Sequence, residues 1–204
     1  MIAIVDYGVG NLGSVLNMLK KIGAAAVISS QAKDIEAADK IILPGVGAFD
    51  NATKNLSDLG LIPVLNKRVM QDKVPILGIC LGLELFTQRS QEGKSAGLGW
   101  LDAETVKFNF AKQEPLKVPH MGWNRVVVLR KNILFDNMEQ DARFYFVHSY
   151  HVVCRDTNDA LAKTNYGYDF TSAVVKENIA GVQFHPEKSH KFGIQLFKNF
   201  VELF

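Results

Sequence analysis

The 204-residue chain has few cysteines, two in all, Cys80 and Cys154, and only six prolines. Two cysteines cannot build a disulfide framework, so the expectation is a reduced protein with free thiols. Charge of one sign is also missing. Lys+Arg number 23 and Asp+Glu 21, for a net charge of +2, and no basic block supplies the electrostatic footprint of a nucleic-acid binder. No apolar run reaches the length that spans a bilayer. The opening Met1-Ile2-Ala3-Ile4-Val5-Asp6 has no basic region before its apolar residues, so it reads as a strand rather than a leader, and the expected location is the cytoplasm. Hydrophobic residues at 48% and charged residues at 22% are ordinary globular usage and argue against disorder.

The first half alternates strand and helix signals. Short apolar runs at Ile2–Asp6, Ala25–Ser29, Lys40–Leu43 and Val74–Ile79 read as strands. Between them, Leu12, Val15, Leu16, Leu19 and Ile22 mark one face of a helix, and further helices are expected over Ala48–Leu56, Leu61–Asp72 and Leu81–Arg89. Such alternation builds right-handed βαβ units and a parallel sheet covered on both faces. After Gly93–Gly99 the pattern changes to short strands at Ala103–Lys107, Arg125–Leu129, Phe144–His148, Tyr150–Arg155, Ala173–Lys176 and Ala180–Phe184, with a hairpin turn at Lys176-Glu177-Asn178. An amphipathic helix over Ser189–Phe204 closes the chain. The expected fold is one flavodoxin-like, three-layer α/β domain over residues 1–204, with a mixed, mostly parallel central sheet.

Three motifs look chemical and have plainer readings. Gly8-Val9-Gly10-Asn11-Leu12-Gly13 fits the dinucleotide pattern, but Val27-Ile28-Ser29-Ser30 stands where the second strand should end on an acidic residue. Gly93-Lys94-Ser95 resembles the end of a phosphate loop without the strand that leads into one, and reads as a turn. His148 and His151, three apart on a strand, should face opposite sides and not converge on a metal, so no metal or other cofactor is expected.

Gly78-Ile79-Cys80-Leu81-Gly82 is the informative segment. A strand running through G-x-C-x-G into a helix is the geometry of a nucleophile elbow, with the thiol lifted at the sheet edge and its thiolate favoured by the helix N-terminus. Late in the chain, Phe184-His185-Pro186-Glu187 puts an imidazole just past an apolar strand with a carboxylate two residues on. His185 can move the thiol proton, and Glu187 can hold the imidazole. Pro44-Gly45-Val46-Gly47, at another strand end, and the Leu81 amide can offer N–H groups to a developing oxyanion. These residues describe a thiol acyl transferase or hydrolase acting on an amide-like carbonyl.

Together, Pro44–Gly47, the Cys80 elbow and Phe184–Glu187 resemble the class I (triad) glutamine amidotransferases. Asp6–Asn11, Pro119–Asn124, Tyr145–Tyr150 and His185–Ser189 resemble the branch whose glutaminase docks on a (β/α)8-barrel cyclase. The resemblance implies that Cys80, His185 and Glu187 hydrolyse L-glutamine, with Gly45, Val46 and Leu81 at the oxyanion. It also implies a heterodimer in which ammonia passes to the cyclase, with Asn11, Trp123, Asn124 and Lys188 facing that partner. One position departs from the pattern: Glu84 stands where the family usually has a substrate-holding glutamine. A carboxylate there should raise the Cys80 pKa and weaken glutamine binding. The departure leaves open a paralogue feeding another synthase, such as one amidating a sugar, or a non-catalytic regulatory subunit.

Overall fold

The computed structural model describes residues 1–110 and 116–204. Its first half runs β1 (Ile2–Val5), α1 (Leu12–Lys21), β2 (Ala26–Ser29), α2 (Ala32–Glu36), β3 (Lys40–Gly45), α3 (Phe49–Asp58), α4 (Leu61–Asn66), β4 (Ile76–Cys80) and α5 (Leu81–Glu84). Short strands follow: β5 (Arg89–Ser90), β6 (Ala103–Lys107), β7 (His120–Arg125), β8 (Val127–Val128), β9 (Arg143–His148) and β10 (Tyr150–Cys154). The chain ends with β11 (Ala160–Tyr166), β12 (Tyr168–Lys176), β13 (Ile179–Val182) and α6 (His190–Glu202).

The main sheet runs β2-β1-β3-β4-β13-β12-β10-β6-β5. From β2 to β13 every neighbour is parallel; β12, β10 and β6 then pair antiparallel, so the sheet is mixed as expected. Strand periodicity explains the layers. In β1, Ile2 and Ile4 point into one core with Val15 and Leu19 of α1 and Leu196, Phe197 and Phe200 of α6. Ala3 and Val5 point the other way, into a second core with Ile35, Phe49, Leu56 and Leu65 from α2, α3 and α4. A central strand buried on both faces must be apolar throughout, as β1, β3 and β4 are. A separate two-stranded sheet pairs β7 with β9.

Several boundaries differ from expectation. The helix read over Leu81–Arg89 stops at Glu84. The Thr87 hydroxyl donates to the Glu84 carbonyl at 2.8 Å, taking the acceptor that the next helical N–H would need, and Arg89–Ser90 pairs with β6 instead. The segment after α4 stays helical but widens into a π-turn over Lys67–Gln71. The strand read over Arg125–Leu129 is two pieces: Arg125 ends β7, which pairs with β9, while Val127–Val128 pairs with β11. Ala173–Lys176 is the tail of the longer β12, which folds back on β11 through Gly167 at φ 75°. The hairpin at Glu177 is present, with Lys176 opposite Ile179.

Candidate active site

β4 and β13 lie side by side and parallel, with Ile79 in register with Val182. Their carboxyl ends therefore deliver Cys80 and the Gln183–His185 segment to the same edge of the sheet. Cys80 has φ 53° and ψ −111°, a conformation costly for any residue with a Cβ, and it is the pivot from β4 into α5. The turn is possible because α5 packs hard on β3: a Cβ on Gly82 would lie 1.8 Å from the Leu43 carbonyl oxygen. The sequence thus makes an elbow here because glycine alone fits behind the bend.

His185 is fixed from both sides. Its amide donates to the Tyr145 carbonyl at 2.8 Å, and its own carbonyl accepts from the Ser189 hydroxyl at 2.6 Å. Nδ1 lies 2.9 Å from Glu187 Oε1, with both side chains no more than 2% exposed. Nδ1–H donating to the carboxylate leaves Nε2 as the basic nitrogen, and that atom is buried with no hydrogen-bond partner among the described residues. Gly45 is in register with Cys80 across β3 and β4, which puts Val46 and Gly47 on the rim of the same cleft. The cleft holds about 290 Å³ and is lined also by Leu81, Glu84, Glu92 and Tyr150.

The electrostatics correct one expectation. The Cys80 thiol is pushed well up, first by burial and then by the Glu84 carboxylate, with Glu187 adding to it; the Leu81 amide and Gln183 pull the other way but do not prevail. Burial and the neighbouring carboxylate therefore favour the thiol form, and the four-residue α5 is too short to supply the positive potential expected of it. The effect expected of Glu84 has the expected sign. Burial raises Glu84 itself to about 7. Sequence reading missed Gln183, whose amide nitrogen reaches Glu84 at 2.8 Å and Cys80 Sγ at 3.9 Å. Its signal was a lone amide between apolar residues at a strand end beside the histidine.

Trp123 is half exposed rather than core, its ring stacked 5.4 Å from His190, and Lys188 Nζ sits 5.5 Å over Tyr145. Asn124 donates to the Asn165 carbonyl at 2.9 Å, and Asn11 precedes α1 as its N-cap. The Lys94 and Ser95 amides hold the Asp50 carboxylate at 2.9–3.1 Å, so that turn binds an internal anion. Ser29, where an acidic residue would mark a dinucleotide site, donates instead to Asp34 at 2.5 Å. His148 and His151 face the same aromatic cluster rather than opposite sides, because the strand breaks at Ser149 and both rings pack on Phe108, at 5.1 and 4.9 Å; among the described residues no group of three or more metal-ligating side chains forms. Both nitrogens of His148 are already hydrogen-bonded within the chain.

The glutamine amidotransferase class-I family model matches residues 3–203. The fold agrees with that of a crystal structure of a glutamine amidotransferase at TM-score 0.76, with 19% identity over 100% of this chain and 98% of that one. It also agrees with PurLQS from Thermotoga maritima at TM-score 0.72, with 17% identity over 98% and 96%. The chain belongs to the class I glutamine amidotransferase family. It is 55% identical over 202 residues, 99% of each chain, to the protein of Methanococcus maripaludis named imidazole glycerol phosphate synthase subunit HisH 2. Its identity to the Pseudomonas aeruginosa protein of the same name is 52%, over 100% of each. Both of these full-length likenesses are to proteins named as HisH subunits.

Proposed function

We propose that the chain is the glutamine-hydrolysing subunit of an imidazole glycerol phosphate synthase and that Cys80, His185 and Glu187 are its catalytic residues. The observation carrying this is the buried His185–Glu187 pair at 2.9 Å beside a nucleophile elbow at φ 53°. His185 Nε2 takes the Cys80 proton as Sγ attacks the side-chain carbonyl of glutamine. The carbonyl oxygen gathers charge that the Leu81 amide and the Gly45–Val46 strand end are suited to meet. His185 returns the proton to the amide nitrogen, ammonia leaves and a glutamyl thioester remains. Water, deprotonated by His185, then releases glutamate. Glu187 holds the imidazole tautomer and balances the imidazolium.

Ammonia that reaches bulk water is protonated and loses its nucleophilicity, so a glutaminase of this kind serves a docked acceptor. The acceptor here is the synthase's cyclase subunit, a (β/α)8 barrel, in a heterodimer that works in histidine biosynthesis. Trp123, Asn124, Lys188 and Asn11 are the residues assigned to the docking face; the half-exposed Trp123 supports that assignment. The location that goes with this role is the cytoplasm; among the described residues no helix is long and apolar enough to cross a membrane. The test is glutamate release from glutamine by the chain alone and by the chain with the cyclase and its ribulosyl-phosphate ligand. Ligand-stimulated release with imidazole glycerol phosphate as product supports the reading. Release that feeds only a different synthase transfers the chain to the paralogue class, and no release with either leaves a regulatory subunit.

A further inference from the structure

Glu84 is the buried carboxylate of the cleft that the mechanism does not use. It is 5% exposed and lines the cleft beside Cys80. Its Oε1 accepts from Gln183 Nε2 at 2.8 Å, and that same nitrogen stands 3.9 Å from Cys80 Sγ. Gln183 is fully buried, and its Oε1 has no hydrogen-bond partner among the described residues. An amide nitrogen carries two hydrogens, so one can serve the carboxylate while the other is aimed at the sulfur.

Among the described residues no cation faces Glu84. The titratable groups facing it are Tyr7 after β1, Cys80 at the end of β4, Glu92 after β5 and Tyr150 at the start of β10. Glu187 reaches Cys80 from beyond β13, and His148 closes the cleft wall. A buried carboxylate with like charge nearby and no counter-ion favours its protonated form. Burial raises Glu84 to about 7, Glu92 adds to the rise and the Gln183 bond opposes it.

We propose that Glu84 and Gln183 are positioning residues that form a proton-controlled clamp on the nucleophile. As a carboxylate, Glu84 engages the Gln183 amide and its charge holds Cys80 as the thiol. With a proton on Glu84 the charge is gone, and the Gln183 N–H is left to stabilise the sulfur anion. This rests on Cys80 being the nucleophile, and it adds a control that the hydrolysis itself does not require.

The test reads ionisation of Cys80 directly, through its rate of alkylation by iodoacetamide against pH in a Cys154→Ser background. Glu84→Gln, an isosteric change, should lower the pH midpoint by at least one unit, which makes alkylation at pH 8 about tenfold faster. Adding Gln183→Met to that variant should raise the midpoint again, because the sulfur loses its donor. Equal midpoints for wild type and Glu84→Gln overturn the clamp. So does a Gln183→Met change that leaves the Glu84→Gln midpoint in place. If the double variant does not fold, the isosteric substitution carries the test alone. Failure of the nucleophile assignment is seen separately, as glutamate release that survives Cys80→Ala.

Discussion

His120 and His148 share a hydrogen bond, Nδ1 to Nε2 at 3.0 Å, and their neighbours decide which ring donates. His148 Nδ1 lies 2.6 Å from the Tyr150 carbonyl and must donate there, so its Nε2 accepts. His120 therefore donates from Nδ1 and accepts at Nε2 from Asn124 Nδ2 at 3.2 Å. The chain of donors runs from β7 to the wall of the cleft. Both rings must be neutral to sustain it, and burial holds His120 down to about 4 and His148 to about 3.

These depressed values make acid stability a test. Unfolded histidines bind protons near 6.5, above the folded values, so the contribution is complete above pH 6.5 and is lost as pH falls through 4 toward 3. The melting temperature of the wild type should drop across that window. His120→Phe should melt lower at pH 7.5, since His148 loses its donor, yet show a shallower acid slope.

Glu84 predicts the opposite slope. Its folded pKa of about 7 lies above the ordinary 4.5, so its contribution is present below 4.5 and lost as pH rises through 7. Glu84→Gln should flatten that side of the stability profile and gain up to about 3 kcal/mol over wild type at pH 8. With the cyclase present, the same variant should bind glutamine more tightly, read as a lower KM. A higher KM contradicts an opposing role for the Glu84 carboxylate.

The His185–Glu187 pair predicts a rate effect without a binding effect. Glu187→Gln keeps the shape but can present an N–H to Nδ1 and reverse the tautomer. The expected loss is about 10²–10⁴ in kcat, with KM little changed, in steady-state glutamate release.

Trp123 stands 47% exposed and stacked on His190, so its removal should cost little stability. Trp123→Ala should weaken association with the cyclase by about tenfold or more, read by calorimetric titration, because exposed aromatics carry interface energy out of proportion to their number. An unchanged affinity removes Trp123 from the docking face.

The parts of the fold that obey a simple period are legible in the sequence. β1, β3 and β4 are apolar on both faces, and the Cys80 elbow is bounded by glycines that no other residue replaces. β7 is illegible because Met121 and Trp123 point outward from a two-stranded sheet and Gly122 interrupts the run, so no alternation marks it. The β11–β12 hairpin is masked by Lys163, Asn165 and Asp169, which bond to one another on an exposed face. Cys80, His185 and Glu187 stand in recognisable motifs, whereas Gln183 carries only the weak signal of a lone amide in an apolar strand end. Its importance comes from Glu84 and Cys80, 99 and 103 residues away in sequence.

The most direct measurement is glutamate release by the chain and its Cys80→Ala variant, each assembled with the cyclase and its ligand. If Cys80 is the nucleophile, the first turns over and the second shows nothing above background while still bound to the cyclase. Glutamate formed by the alanine variant at a comparable rate contradicts that role.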